Sequence, residues 1–298
     1  MSQPTLSIGL PVYNGERYLA LALESILSQT FGDFELIVSD NASSDQTAEI
    51  IEQFKRRDSR IRYYRNPENI GASRNFNRTL DYAGGKYFKW ASYDDLLAPS
   101  YIEVCLGLMK ENPNVVLAHA KSREINEKGE FIAEYNQYDA MRLCSSKPHE
   151  RFYDLIATQH ACDLVFGIMP TQLVKKTCLI GSFPASDRVL IAELALRGEI
   201  AVSPQYLFFH REHAQNTWNL YKKDPNRVKW YDTQVKRVNP YQHWKLYREF
   251  SAALFRVDMS LKDRLLCVIQ LARWPRAYWQ GVRVWRLLLS DIRCALKL

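Results

Sequence analysis

The first hundred residues alternate between short apolar runs and amphipathic helical patterns, with a polar cluster after most of the apolar runs. The clusters are PVYN at 11–14, DNASSD at 40–45, NIGASRN at 69–75 and SYDD at 92–95. Apolar runs joined to helices by short connections favour parallel βαβ units. The carboxyl ends of parallel strands gather along one edge of an open sheet, where ligands bind. We therefore expect the four clusters to meet in one place, as they do in a nucleotide site.

The periodicity of apolar residues predicts the elements of this sheet. The run at 5–12 hardly alternates, which indicates a strand buried on both faces. Further strands are predicted at 34–39, 61–64, 87–91 and 115–120. Helices are predicted at 17–29, from Ser43 onward through the capping box Ser43–Gln46, at 73–82 and at 99–110. The fold class is therefore α/β, with a Rossmann-like, mostly parallel sheet flanked by helices.

The pattern loosens beyond residue 120. A hairpin at 124–134 precedes a polar, irregular stretch at 135–160. Then follow, by pattern, a strand at 164–169, helices at 171–177 and 187–197, and a strand at 202–210. From residue 224 the chain is helical in pattern and rich in Trp, Tyr and Arg. We predict an α/β domain over 1–220 and a basic, aromatic-rich helical region over 221–298.

Composition limits the class of protein. Six scattered cysteines show neither a CxxC pair nor the spacing of metal ligands, which is typical of reduced thiols in the cytoplasm. No apolar run approaches the ~20 residues that a membrane span needs. The net charge is +7, and residues 260–298 hold eight Lys and Arg against two Asp, a net charge of +6. The rest of the chain is nearly neutral, so a groove for nucleic acid is not indicated.

The pair Asp94-Asp95 follows one predicted strand and precedes a helix. Adjacent carboxylates repel each other unless a cation or a helix N-terminus is near. A divalent ion that also binds phosphate oxygens would satisfy them. The alternative is that one of the two only caps the following helix.

These motifs in this order, with the run Gly-Lys-Tyr-Phe-x-x-x-x-x-Asp-Asp, resemble the inverting family 2 glycosyltransferases of GT-A fold. The resemblance covers roughly residues 5–217. It implies a nucleotide-diphosphate-sugar donor, a divalent metal (Mn²⁺ or Mg²⁺), and transfer to an acceptor hydroxyl in a single displacement that inverts the anomeric carbon. The acceptor it implies is a glycan or lipid-linked glycan, as in the synthesis of bacterial surface polysaccharides.

The resemblance assigns donor-binding residues by position. Pro11, Tyr13 and Asn14 are similar to the first nucleotide-contacting turn, and Glu16 follows where the family often has an acid. Asp40 would hydrogen-bond the base, most simply uracil N3–H, with Asn41 and Ser43 shaping that loop. Arg74 resembles a basic residue near the diphosphate, and Tyr93 lies within the metal motif. Asn14 and Ser43 are also ordinary turn and cap residues, and Arg74 could be a solvated helix charge.

The metal motif departs from the family pattern, because Ser92 replaces the first acid of the usual Asp-x-Asp-Asp. Asp94 then corresponds to the direct ligand, and Asp95 to a second metal-site residue that orients the loop or caps the helix. Arg211 and His213 match an Arg-x-His pattern whose His reaches the metal or the diphosphate; a structural His is the alternative. The departure also makes a catalytically silent nucleotide-sugar-binding scaffold the alternative function.

The resemblance places the general base at the start of a helix about ninety residues past the metal motif, where this chain has Asp187. A carboxylate there would take the proton of the attacking hydroxyl. The alternative is a helix cap. A nucleotidyltransferase is disfavoured, because PVYNGERY is not a Gly-rich, cationic loop.

The last forty residues suggest a second binding surface. On one continuous helix, Arg276, Arg283, Arg286, Arg293 and Lys297 share one side, and mostly aromatic and aliphatic residues share the other. This pattern predicts an interfacial helix on anionic lipid, and a cytoplasmic protein peripheral to the inner face of the membrane. The alternative is a helix packed on the core or on a second subunit of a homo-oligomer.

Overall fold

The computed structural model describes residues 3–216, 228–235, 239–279 and 282–296. The strands are β1 (Leu6–Val12), β2 (Phe34–Asp40), β3 (Ile61–Arg65), β4 (Tyr87–Trp90), β5 (Leu96–Leu97), β6 (Val115–Ile125), β7 (Phe131–Tyr135), β8 (Met169–Pro170), β9 (Glu199–Arg211), β10 (Tyr278–Trp279) and β11 (Val282–Arg283). The helices are α1 (Leu19–Leu27), α2 (Thr47–Arg57), α3 (Ala72–Asp81), α4 (Tyr101–Glu111), α5 (Pro148–Ala157), α6 (Thr171–Val174), α7 (Ser186–Arg197), α8 (Val228–Tyr231), α9 (Gln242–Arg256), α10 (Leu261–Arg273) and α11 (Val284–Leu296). Short 3₁₀ turns lie at Asp163–Phe166 and Trp274–Arg276.

The first sheet has the order β3-β2-β1-β4-β8, and its first four strands are parallel. All seven residues of β1 are buried, as its run of apolar residues predicts. The register pairs Val12 with Asp40 and Asp40 with Arg65. The ends of β1, β2 and β3 therefore lie side by side at one edge, confirming the predicted α/β fold there.

A second sheet of order β5-β9-β6-β7 carries the rest of the α/β fold. Two backbone hydrogen bonds between Ala118 and Ile168, of 2.9 and 2.8 Å, tie β6 to the segment that enters β8. Because β8 also pairs with β4, this segment joins the two sheets. It brings the end of β9 to the same edge as the ends of β1–β4.

The helices after residue 240 pack on the α/β part through a shared hydrophobic core. Phe152 and Val189, from α5 and α7, are buried with Phe250, Leu271 and Leu288 of the later helices. The indole of Trp274 also donates a hydrogen bond to the Ile156 carbonyl oxygen at 2.7 Å. The predicted boundary near residue 220 lies outside the described residues, and the division into two domains stays a prediction.

Three predictions of secondary structure were wrong. The stretch at 135–160 contains α5, whose Phe152, Leu155 and Ile156 are buried at helical spacing. The predicted strand at 164–169 is mostly a 3₁₀ turn, Asp163–Phe166, because the hydroxyls of Ser122 and Tyr138 hold Asp163 in place. The predicted helix opening near Ser43 begins instead at Thr47.

The continuous helix across Arg276–Lys297 is also wrong. Pro275 lies in the 3₁₀ turn after α10, where its missing N–H and its ring end the α-helix. The short β10–β11 pair then precedes α11. Arg276 and Arg283 therefore belong to other elements than Arg286 and Arg293, and Lys297 lies outside the described residues.

A buried carboxylate joins β6 to the loop before α5. Asp163 accepts hydrogen bonds from the hydroxyls of Ser122 and Tyr138 and from Gln137 Nε2 at 3.1 Å. The His119 ring lies 3.7 Å from it and is in turn hydrogen-bonded to the Tyr101 hydroxyl at 2.7 Å. Burial opposes the charge, but His119 and the two hydroxyls lower the pKa of Asp163 to about 2.

We expect Asp163→Asn to lower the free energy of unfolding by about 2–4 kcal/mol, because two buried hydroxyls lose a charged acceptor. Urea denaturation near neutral pH measures this loss. The folded pKa lies below the unfolded value of about 3.9, so this stabilisation is complete above about pH 4 and is lost as the pH falls towards 2. Wild type and variant should converge in that window.

The matched control is Asp139→Asn, which removes an exposed carboxylate paired with Lys121. It should change stability by less than about 1 kcal/mol. Equal losses in the two variants, or a constant gap between about pH 4 and 2, would contradict the assignment.

Candidate active site

The first turn and the loop after β2 hold each other in place. The Asn14 N–H donates to Ser43 Oγ at 2.9 Å, and Asn14 Oδ1 accepts from the Ser44 N–H at 2.9 Å. The Glu16 N–H donates to Asp45 Oδ2 at 3.0 Å, while Glu16 Oε2 accepts from the Gln46 N–H at 3.0 Å. Asn14 has φ 51°, a conformation that Asn tolerates in turns. The predicted residues Asn14, Glu16 and Ser43 are thus brought together as a brace.

The remaining predicted residues of this turn differ in exposure. Pro11 is buried within β1, opposite Ser39 in the register. Tyr13 is 44% exposed and offers an open aromatic ring at the sheet edge. The Tyr93 ring packs on Gly15, where a Cβ would lie 3.0 Å from Tyr93 Cδ2. This contact joins the first turn to the loop that follows β4.

Asp40 is fully buried at the end of β2. Its Oδ1 accepts from the Ser43 N–H at 2.8 Å, and its Oδ2 accepts from the Tyr63 hydroxyl at 3.0 Å. Arg65 Nε lies 3.5 Å from Asp40 Oδ2, and Arg65 Nη2 donates to the Ser43 carbonyl oxygen at 2.7 Å. These bonds shape the loop, and direct contact of Asp40 with a base stays a prediction. The sequence analysis missed Arg65, although a cation directly after the strand predicted at 61–64 was a signal.

Buried amides fix the NIGASRN segment against β2. Asn41 Oδ1 accepts from Asn66 Nδ2 at 2.9 Å and from the Ile70 N–H at 3.0 Å. Asn75 Oδ1 accepts from Ser39 Oγ at 2.7 Å, and Asn75 Nδ2 donates to the Ser39 carbonyl oxygen at 2.9 Å. Asn41 is therefore a buried side chain that positions the segment at 66–70 next to the end of β2. Asn66 was missed, because an isolated Asn has no pattern of its own, and Asn75 was predicted only as the last residue of the NIGASRN cluster.

Arg74 is exposed in the first turn of α3, where its Nη2 donates to Gln234 Oε1 at 3.2 Å. Gly71, with φ 84°, lets the chain near Tyr231 approach closely: a Cβ there would lie 2.7 Å from the Tyr231 carbonyl oxygen. The Thr233 hydroxyl donates to the Asn69 carbonyl oxygen at 3.0 Å. Residues 231–234 thus lie against the segment 69–74 that carries Arg74. The sequence pattern did not indicate this contact.

Two loops far apart in sequence meet at Asp94. His213 Nε2 lies 2.9 Å from Asp94 Oδ2, across 119 residues of chain. Ser92 Oγ donates to the other oxygen, Asp94 Oδ1. Asp95 is bound differently: its Oδ1 accepts from the Arg211 N–H at 2.9 Å and lies 3.2 Å from His210 Nδ1. The structure thus brings Asp94 and His213 together, whereas Asp95 anchors the end of β9.

Burial and pairing set the charges of this cluster. Burial would raise the pKa of Asp94, but hydrogen bonds from His213 and Ser92 hold it below its ordinary value. Burial raises the pKa of Asp95. Burial opposes a charge on His210, yet Asp95 and Asp94 raise its pKa to about 9. An ionised Asp94 beside a cationic His210 follows, and His210 was missed as a partner of Asp95.

Arg211 holds the loop that carries Asp94. Its side chain is almost fully buried, and its Nε donates to the Asp94 carbonyl oxygen at 2.9 Å. Its Nη1 donates to the carbonyl oxygens of Asn126 at 3.0 Å and Glu127 at 3.1 Å. The guanidinium also lies over the Tyr18 ring, 4.9 Å from its centroid. Arg211 therefore connects the β6–β7 turn, the residue before α1 and the loop that carries Asp94.

The donor atoms at Asp94 and His213 fit a divalent cation. A carboxylate oxygen and an imidazole nitrogen, aimed at each other, can both turn to one ion of the Mn²⁺ type. In the described ranges, no group of three or more His, Cys, Asp or Glu side chains is placed to hold a metal by itself. The site therefore fits an ion that takes its other ligands from phosphate oxygens and water, as Mg²⁺ does beside substrate phosphates.

Asp187 lies in the first turn of α7, after Ala185 in a left-handed conformation (φ 63°). The Arg188 N–H donates to Asp187 Oδ1 at 2.8 Å, and burial raises the pKa of the carboxyl. The preceding loop is bound to α3: Ser73 Oγ donates to the Gly181 carbonyl oxygen at 2.8 Å, and Asn77 Nδ2 donates to the Ile180 carbonyl oxygen at 2.9 Å. The helix that carries Arg74 thus also holds the approach to Asp187.

Comparison with known proteins identifies the family. Residues 7–163 match the family described as glycosyl transferase family 2. The chain belongs to that family. An uncharacterized glycosyltransferase of Haemophilus influenzae is 26% identical over 79% of this chain and 73% of its own length. An uncharacterized glycosyltransferase of Rickettsia felis is 37% identical over 43% of this chain, and the match spans only 21% of that protein.

Solved structures of glycosyltransferases share the fold. The S. aureus TarS structure (residues 1–349) in complex with UDP-GlcNAc has a TM-score of 0.65 at 19% identity, covering 90% of this chain and 72% of that one. The Pyrobaculum calidifontis mannosyltransferase PcManGT in complex with GDP-Man and Mn²⁺ has a TM-score of 0.54 at 15% identity, covering 100% and 87%. The fold of this family 2 glycosyltransferase is therefore GT-A, as the motif order implied.

We expect Arg211→Met to lower the free energy of unfolding by about 3 kcal/mol, because the carbonyl oxygens of Asp94, Asn126 and Glu127 lose the buried guanidinium that donates to them. Urea denaturation measures the loss, and amide hydrogen exchange should show faster opening of the turn at 126–127. The matched control is Arg123→Met, whose guanidinium forms a partly exposed pair with Glu134. A loss of stability no larger than that of this control would show that Arg211 does not hold the Asp94 loop and the β6–β7 turn together.

Proposed function

We propose that this family 2 glycosyltransferase transfers a sugar from a nucleotide-diphosphate donor, most simply a UDP-sugar, to an acceptor hydroxyl with inversion of the anomeric carbon. One observation carries the proposal: Asp94 and His213 meet within 2.9 Å at the sheet edge that also holds the braced first turn. A nucleotide-sugar donor is supported by the fold shared with TarS and PcManGT, whose structures contain UDP-GlcNAc and GDP-Man, and the choice of uridine stays a prediction from the sequence.

The donor would lie along the ends of β1–β3. Tyr13 offers an exposed ring for the nucleoside, and the loop shaped by Asp40, Asn41 and Ser43 would surround the base. Arg74 is exposed in the first turn of α3 and would contact the diphosphate once its hydrogen bond to Gln234 is broken. A helix N-terminus favours phosphate there as well.

We propose Asp94 and His213 as the residues that hold Mn²⁺ or Mg²⁺. Asp95 would hold the loop that carries Asp94 against the end of β9, through its hydrogen bond from the Arg211 N–H. When bound, the cation would neutralise charge on the diphosphate as it leaves. Support for Mn²⁺ comes from PcManGT, whose structure contains it. This chain's own contribution is to keep Asp94 oriented through the Ser92 hydroxyl, which donates to Oδ1, while His213 Nε2 would turn from Asp94 to the ion.

We propose Asp187 as the general base. The acceptor hydroxyl oxygen would form a bond to the anomeric carbon, and the bond from that carbon to the diphosphate oxygen would break on the opposite face. The hydroxyl proton would pass to the Asp187 carboxylate, and the nucleotide would leave as the diphosphate. The raised pKa of Asp187 makes its carboxylate a better base than an ordinary Asp. The acceptor is proposed to be a glycan or a lipid-linked glycan.

Asp94→Asn should abolish the metal dependence of UDP binding, because the amide cannot replace the anionic ligand. In wild type, calorimetry should show UDP affinity falling at least about tenfold when EDTA replaces Mn²⁺. The variant should bind UDP as weakly with Mn²⁺ as with EDTA. Asp81→Asn, an exposed acid at the end of α3, should behave like wild type. A wild-type affinity for UDP that is the same with EDTA as with Mn²⁺ would contradict the metal assignment. So would an Asp94→Asn variant whose UDP affinity still depends on Mn²⁺.

Asp187→Asn should lower the rate of sugar transfer about 10³-fold while leaving UDP affinity unchanged, since only the proton acceptor is lost. The measurement is UDP release from UDP-sugars, with water or added glycan as acceptor. The wild-type rate should rise with pH as Asp187 loses its proton, over a range above that of an ordinary Asp.

The control for Asp187 is Asp258→Asn, at an exposed position between α9 and α10. Full activity of Asp187→Asn would remove Asp187 as base. UDP binding without transfer by wild type, across donors and acceptors, would favour a silent scaffold instead.

A further inference from the structure

Helix α10 leaves an apolar stripe uncovered. Leu261, Leu265, Val268 and Ile269 are exposed, the first two to 82% and 61%. At ~100° per residue these four positions fall within about 100° of the helix circumference. The opposite side is buried through Cys267 and Leu271. The stripe is therefore separate from the face that packs on the core.

Helix α11 repeats this arrangement. Its exposed apolar residues recur at helical spacing, and its Val284 and Leu288 are buried in the core shared with α5 and α7. The exposed ones are Trp285, Leu289, Ile292 and Leu296. Exposed apolar stripes of this kind mark interaction surfaces. We call the exposed apolar residues of α10 and α11 the two stripes.

The charges beside the two stripes have one sign. Lys262 and Arg273 lie next to the stripe of α10 on its helical wheel, and Arg286 and Arg293 lie next to that of α11. All four side chains are exposed, as are Arg276 and Arg283 between the helices.

The two acids of this region are used within the fold. Asp291 is buried and accepts from the His243 N–H at 2.7 Å and lies 2.8 Å from His243 Nδ1. Asp263 accepts from the Ser260 hydroxyl at 2.6 Å, at the start of α10. The exposed charge of residues 260–296 is therefore almost entirely positive.

We propose that the two stripes, with their flanking cations, dock on an anionic lipid bilayer. Apolar side chains bounded by Lys and Arg are the pattern of helices that lie in a membrane interface, where each cation near an anionic surface adds to binding. A second copy is a poorer occupant, since it would bring two surfaces of the same charge together. Among the described helices none is long and apolar enough to span a bilayer.

Sedimentation of the full chain with vesicles tests the proposal. Binding is expected to vesicles that contain phosphatidylglycerol, to be much weaker with pure phosphatidylcholine, and to fall as salt is raised. Leu265→Ser should weaken partitioning about tenfold, and Arg286→Gln with Arg293→Gln about fivefold per arginine. The result does not depend on the proposed donor chemistry, because no nucleotide is needed.

Matched controls lie on the α/β part. Leu21→Ser removes a leucine 52% exposed on α1, and Arg56→Gln removes an exposed cation on α2. Neither should alter vesicle binding, and thermal unfolding should show that all variants remain folded. Absence of binding, equal binding to neutral vesicles, or equal losses in the controls would overturn the proposal. Dimers in sedimentation velocity that Leu265→Ser dissolves would also overturn it, in favour of a second copy.

Discussion

The buried guanidinium of Arg211 is the contact on which the site's geometry depends. It comes from the end of β9, yet it binds the backbone after β4 at Asp94 and the turn after β6 at Asn126 and Glu127. A buried cation is stable only where its donors are satisfied, so these carbonyl oxygens must stay in place. With the Arg211 N–H bound to Asp95, the strand end, the acidic loop and the hairpin turn form one unit. His213, two residues on, is thereby set against Asp94.

The charges of this unit suit the binding of a diphosphate donor together with a cation. Asp94 stays ionised in spite of burial because His213 and Ser92 hydrogen-bond its carboxylate. His210 carries charge because Asp95 and Asp94 lie beside it. Asp187 is on another helix with its pKa raised by burial. One carboxylate favoured as an anion and another favoured to accept a proton are what the proposed transfer requires.

The sequence predicted the first half of the fold well because its elements bury one another locally. β1 is buried on both faces, so its apolar run was unambiguous, and the order of strands and helices around it followed from short connections. Prediction failed where a tertiary contact decides the backbone. The 3₁₀ turn at Asp163 depends on hydroxyls from β6 and from the loop before α5, which no local pattern reveals. Pro275 was a signal in the sequence that the helical pattern is interrupted there, and the prediction of one continuous helix over 276–297 did not take it into account.

The sequence by itself determined the βαβ order, the family, and the polar clusters at strand ends, since periodicity and short motifs are local properties. Only the tertiary structure decided which of those polar side chains meet. Asp94 and His213 are 119 residues apart, and their contact exists because β8 and β9 bring a second sheet to the edge of the first. Tertiary packing likewise decided which sides of α10 and α11 are buried, because a helix with apolar residues around much of its circumference does not specify which face the core will cover.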